Sequence, residues 1–179
     1  MAQRVLQNRR SDRIGNAITY YMGKSEADMK RKIDIRSAPA SSGSRYPEPF
    51  AAPCQDKIRR RLAVAAGLKH LGINLLELAP GAWSSQRHWH TLAEEFVYVL
   101  EGEVALVTEG SEEILHAGDC AAFLAGDPDG HHLQNRSGAR ALILEIGSAN
   151  VRSDETHYPD VDLRVAASAY LHKDGTPYP

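Results

Sequence analysis

The chain has 179 residues, two cysteines and a formal net charge of −2. That length suits one domain with extensions and is enough to bury a core without staples, and Cys54 and Cys120 are too few for a disulfide framework. No apolar run reaches membrane-spanning length and the first ten residues lack the apolar stretch of a secretory signal; together these point to a reduced, cytoplasmic protein with no membrane partner.

Charge is spread unevenly. Residues 1–62 hold 14 Lys and Arg against 6 Asp and Glu, a balance of +8, while residues 63–179 hold 7 against 17, a balance of −10. A basic arm beside an acidic body predicts that the arm docks on the body or on a partner subunit. Acids are interspersed among its cations and no helix-turn-helix pattern is evident, so no nucleic-acid partner is expected. Within the arm, Ser25 to Asp28 followed by Met29, Lys30, Arg31 and Lys32 predicts a short capped helix with cations near its C-terminal end. Ile33 to Ile35 suits a short strand. Residues 37–53 are rich in Ser, Gly and Pro and predict an irregular connector, with Tyr46 and Phe50 as apolar anchors.

From about Arg60 the pattern changes to short β-type runs: 72–78, 86–90, 95–100, 104–108, 112–115, 120–124, 131–134 and 140–146. Gly and Pro punctuate the gaps, and Glu109-Gly110-Ser111 suits a hairpin turn. Many short strands with frequent turns predict an all-β barrel or sandwich. Cys120, in an apolar run, is expected to be a small buried hydrophobe. Residues 150–179 form a polar tail whose most structured candidate is Tyr158 to Leu163, with one helical turn over Ala166 to Tyr170. The expected organisation is an N-terminal arm and connector over 1–59, a barrel over 60–149 and a C-terminal tail over 150–179.

Two short stretches carry chemistry. His88 and His90 alternate on an extended run, which puts both imidazoles on one face. With a carboxylate from Glu94 or Glu95 they outline a divalent metal site, and a further His from downstream, His131 or His132, completes a four-ligand set. By the same alternation Gln86 points inward with the ligands and can orient a substrate oxygen, and Arg87 points outward. Trp83 suits packing at the barrel end, and Trp89 faces away from the metal. If Glu95 points inward, so do Val97 and Val99, while Phe96, Tyr98 and Leu100 point outward. A strand apolar on both faces needs cover on both, which predicts a homodimer or a docked arm.

The order of these residues resembles the paired motifs of the cupin superfamily. Gly81, His88, His90, Glu95 and Gly102 follow the first motif, with the gap from Gly81 to His88 one residue longer than usual. Gly118, Gly126, His131 and Asn135 follow the second; Leu124 stands where Pro is usual, and Asp127 to Gly130 lengthens the spacer before His131 as a turn. The resemblance implies a jelly-roll β-barrel with one divalent metal in its mouth, Zn, Mn, Fe or Ni, held by His88, His90, Glu95 and His131. It favours Glu95 over Glu94 and His131 over His132 by their spacing to Gly102 and Asn135. Fold alone does not assign the reaction. The expectation is a metal-dependent enzyme acting on a small polar metabolite (a sugar, sugar phosphate or organic acid) by isomerase, decarboxylase or dioxygenase chemistry, with Glu94 or a metal-bound water moving protons and Gln86 orienting the substrate. The alternative is a small-molecule-binding or sensor cupin without turnover.

Overall fold

The computed structural model describes residues 32–149 and 151–179. The capped helix expected to start at Ser25 lies outside them, as does most of the basic arm. In chain order the strands are β1 Ala40–Ser42, β2 Lys57–Arg61, β3 Leu71–Leu78, β4 Trp89–His90, β5 Glu95–Glu101, β6 Glu103–Val107, β7 Glu112–His116, β8 Cys120–Phe123, β9 His132–Gln134, β10 Ala141–Ser148, β11 Thr156–Tyr158, β12 Leu163–Ala166 and β13 Ala169–Leu171. Among the described residues a short α-helix, α1 Leu62–Ala66, closes on Gly67 in the left-handed conformation. No helix among the described residues is long and apolar enough to cross a membrane.

The strands form a six-stranded sheet in the order β1-β2-β3-β10-β5-β8, a three-stranded sheet β7-β6-β9 and a four-stranded sheet β13-β12-β11-β4. The pairings within these sheets are antiparallel. The six- and three-stranded sheets share one apolar cluster: Leu76, Leu78, Val97, Val99 and Ile143 from the first meet Val104, Leu106, Leu115 and Leu133 from the second. Each such side chain, fully buried, stabilises the fold by about 1.5–3 kcal/mol. This is the all-β, jelly-roll arrangement of two sheets packed on their inner faces.

The parity of β5 is as expected: Val97 and Val99 are 8% and 0% exposed, and Tyr98 and Leu100 are 37% and 41% exposed. Gly102, between β5 and β6, has a φ of +77°, and a Cβ there would lie 2.8 Å from the Arg140 carbonyl oxygen. Only glycine meets both demands. The hairpin between β6 and β7 turns through Thr108 to Ser111, with the Thr108 amide donating to the Ser111 carbonyl at 3.0 Å.

Several local expectations are corrected. Ile33 to Ile35 is not the short strand expected: residues 33–34 are irregular and Ile35–Ser37 is a 3₁₀ turn capped by the Asp34 side chain. The connector contains β1, whose three residues are all exposed; an edge strand with no buried face leaves no alternating apolar pattern to detect. The boundary expected at residues 59/60 falls inside β2, which is paired with β3 along its whole length. Residues 84–87 are bends, so the run 86–90 shortens to the two residues of β4. In place of a helical turn, β12 and β13 form a tight hairpin whose corner residues Ala167 and Ser168 both have positive φ, 49° and 66°. Cys120 is exposed, and the buried thiol is Cys54. Register explains the exchange: Cys120 lies opposite Tyr98, on the outer face.

Candidate metal centre

Glu95 opens β5, in the interior of the six-stranded sheet, paired with Gly147 of β10 and Phe123 of β8. Regular pairing on both sides sets the direction of its side chain. His88 and His131 face each other across an isolated bridge, each backbone amide donating to the other's carbonyl at 3.1 and 2.8 Å. Two residues on, His90 lies in β4 opposite Thr156 of β11. These three supports bring four side chains together.

Offered one atom each, His88, His90 and Glu95 have ligand atoms within 4.8 Å of one another. The Nε2 atoms of His88 and His90 lie 3.5 and 3.9 Å from Glu95 oxygens. His131 joins through the same carboxylate, its Nε2 2.9 Å from Glu95 Oε2, and its ring is stacked on Phe123 with centroids 3.4 Å apart. Three imidazoles therefore aim the same nitrogen at one carboxylate. The opposite nitrogens explain how two of the rings are held. His90 Nδ1 is 2.7 Å from Asp154 Oδ2, and His88 Nδ1 is 3.0 Å from the Gln86 carbonyl oxygen. An acceptor at Nδ1 places the proton there and leaves Nε2 as a lone-pair donor, the usual support of a metal-binding imidazole. The donor set fits a divalent ion such as Zn, Mn, Fe or Ni, which accept imidazole and carboxylate ligands.

Electrostatics agree. Burial pushes the Glu95 carboxyl upward, but the neighbouring His131 and His88 rings together outweigh it and, with no metal bound, hold the group well below the usual carboxylate range. Burial lowers the His131 imidazole below its ordinary value, favouring the neutral form a ligand must take. At Asp154 burial is again outweighed, here by the Leu92 amide and His90, so the carboxyl stays below its ordinary value.

The cluster borders two cavities. The larger, about 550 Å³, is lined by His88, Glu95 and His131 together with Lys57, Arg59 and Glu145. The smaller, about 280 Å³, shares Glu95 and His131 with it and includes His90 and Asp129. The larger has the capacity of a small-metabolite pocket.

Other expected positions move. Gln86 is buried with its amide donating to the Phe50 carbonyl at 2.7 Å, and it lines neither cavity, because strand alternation does not run through the bends 84–87. The inward, substrate-orienting placement of Gln86 is thus corrected. Glu94 is exposed and lines neither cavity, being one residue out of phase with Glu95. Arg87 is buried, not outward: it grips Asp160 at 2.7 and 2.6 Å and pairs with Glu109 at 2.6 Å. His132 is 4% exposed, packed edge-on against Trp83 and bonded to the Ser85 carbonyl, so it is an interior residue. Trp89 is stacked on His157 of β11, with centroids 4.6 Å apart, and borders the smaller cavity.

Asp154 went unread because nothing in the local sequence links it to His90, 64 positions away. The cations of β2 did carry a signal: Lys57, Arg59 and Arg61 alternate, so one face of a strand presents all three.

Comparison with known proteins agrees with this geometry. Residues 74–147 match the family model of the cupin domain. A crystal structure from Silicibacter pomeroyi, described as a sugar phosphate isomerase of the cupin superfamily, is 41% identical with a TM-score of 0.77, over 83% of this chain and 96% of that one. A protein from Acidithiobacillus ferrooxidans, named as a candidate sugar phosphate isomerase, is 29% identical with a TM-score of 0.59, over 64% of this chain and 73% of that one. The polyketide cyclase RemF from Streptomyces resistomycificus, 21% identical with a TM-score of 0.56 over 68% of this chain and 81% of that one, shares the fold. No curated protein matches significantly. With His88, His90, Glu95 and His131 gathered at the mouth of a double-sheet jelly roll, and a relative 41% identical along nearly its whole length, the chain belongs to the cupin superfamily.

Proposed function

We propose that the protein is a metal-dependent enzyme that isomerises a small sugar phosphate. The observation that carries the reading is the convergence of three imidazole nitrogens on Glu95 at the wall of a cavity of about 550 Å³ that is also lined by cations. The two relatives described as sugar phosphate isomerases support the substrate class. His88, His90, Glu95 and His131 hold the metal, which supplies Lewis acidity toward a substrate oxygen in the cavity. Isomerisation also needs a group that takes a proton from one carbon and returns it to the next. We assign this to Glu145, which lines the same cavity and is steered by a two-pronged bond from Arg59 at 2.7 and 2.7 Å. Glu94 and Gln86, outside the cavity, have no part in it.

The test is turnover of a panel of aldose and ketose phosphates by the metal-loaded protein, followed by NMR. Glu145→Gln is expected to keep the metal and lose turnover. Metal-loaded protein that binds members of the panel and converts none would favour the binding-module reading, for which the tight engagement of Glu145 by Arg59 is the supporting observation.

We also propose a homodimer formed through the outer face of β5, where Tyr98 and Leu100 are exposed. Light scattering is expected to give twice the chain mass, and Tyr98→Asp to shift the protein toward monomer. A wild-type monomer at micromolar concentration contradicts this assembly.

A further inference from the structure

Strand β2 runs along the wall of the larger cavity, and alternation turns Lys57, Arg59 and Arg61 to the same side. Register extends this face inward. Arg61 lies opposite Asn74, Asn74 opposite Glu145, and Glu145 opposite Val97, two residues from Glu95. The three cations are not equivalent. Arg59 is held by Glu145 on both prongs. Lys57 is 8% exposed, and its Nζ donates to the Ser84 carbonyl at 2.6 Å, a neutral partner; among the described residues no carboxylate pairs with it. The Arg61 side chain makes no hydrogen bond or ion pair among the described residues. A buried ammonium without a counter-charge is costly. Lys57, whose Nζ has only the Ser84 carbonyl and, at 6.0 Å, the face of the Tyr46 ring beside it, and Arg61 are two cations on one cavity wall with no carboxylate paired to either among the described residues, complementary to a ligand that brings negative charge.

We propose that Lys57 and Arg61 form an oxyanion subsite that takes the phosphate group of a substrate whose other end reaches the His88–His90–Glu95–His131 cluster. The inference rests on the reading of that cluster and cavity as a substrate site. Its chemistry is the usual division of labour: Arg61 offers a planar fork to two oxygens, and Lys57 a compact charge. Arg59, already paired, keeps the strand and Glu145 in place. Burial holds the Lys57 ammonium below the ordinary lysine value, and a bound dianion opposes that shift.

Inorganic phosphate is the probe, titrated calorimetrically into the full-length, metal-loaded protein, with acetate in parallel and metal content measured for each variant. Wild type is expected to bind phosphate more tightly than acetate. Lys57→Met and Arg61→Ala are each expected to weaken phosphate at least tenfold with metal content unchanged. Lys57→Met keeps the side-chain volume, and its melting temperature reports whether it folds; Arg61→Ala, at an exposed position, is the second route if it does not. Failure of wild type to bind phosphate, or equal binding by wild type and both variants, overturns the proposal. So does loss of phosphate binding in His88→Ala/His90→Ala with both cation variants unaffected, because phosphate would then sit on the metal. If the cation variants lose phosphate while wild type binds no metal, the subsite stands and the metal-enzyme reading falls.

Discussion

The carboxylate and the histidines of the centre are held in opposite ways. Glu95 belongs to β5, seven residues long and paired on both sides with β10 and β8. Its direction is a by-product of a ladder that would exist without any ligand. His88 and His90 sit on a segment with only two residues of strand, and their support is borrowed. His88 leans on a bridge to His131, and His90 on β11 and the Asp154 carboxylate. Asp154 also accepts from the amides of Leu92 and Ala93, at 2.8 and 3.2 Å, so one side chain orients an imidazole and fixes the loop that carries the chain into β5. A ligand on a long strand is protected by the stability of the sheet. A ligand on a short one is exposed to the loss of a single neighbour. Mutations in the two regions should therefore separate stability from metal affinity.

The largest effect is expected from His88→Ala with His90→Ala, which should bring metal content measured by elemental analysis to background while the circular dichroism of the sheets persists. Full occupancy in that variant would remove the centre from these residues. On the ladder side, Ile143→Ala, at a fully buried position of β10, should cost about 2–5 kcal/mol in denaturant unfolding and leave the metal dissociation constant unchanged. A parallel loss of affinity would show that the two regions are not separable.

On the borrowed side, Asp154→Asn should weaken metal binding by about 10–100-fold with a small change in stability at neutral pH. It should also alter the acid limb of the chelator-treated protein. Because the folded Asp154 carboxyl is held below its ordinary value, its contribution is present above about pH 4 and is lost as pH falls through the folded value. The variant should lose less melting temperature than wild type over that range, and identical acid limbs would contradict the assignment. The smallest effect on the metal is expected from His132→Ala, which should keep full metal occupancy while losing about 1–3 kcal/mol of stability, because the Ser85 carbonyl it bonds is left buried without that partner. Loss of metal there would move the fourth ligand by one residue.

What was legible in sequence followed from local rules. Alternation of side chains on β5 placed Glu95, Val97 and Val99 together, and it holds wherever a strand is long and paired on both sides. The ordered positions of His88, His90, Glu95, Gly102, His131 and Asn135 sufficed for the family. Asn135 shows why its position is so constrained: fully buried, it donates to the Leu78 and Ala139 carbonyls at 2.9 and 2.8 Å and ties the strand ends around the core. The same rule failed at Gln86, because residues 84–87 are bends whose bonds go to the separate partners Phe50, Leu133 and Gly130 and form no continuous ladder along one strand.

Composition and motif order thus determined the fold class and nominated four side chains for the metal. Tertiary structure alone decided which groups stand behind and beside them. Asp154 reaches His90 only because β11 returns to pair with β4. Lys57 and Arg61 face the cavity only because β2 is the neighbour of β3 in the six-stranded sheet. Spacing along a chain reports which residues share a face of one strand. Which strands become neighbours is settled by burial of the whole core, and no short window of sequence contains that information.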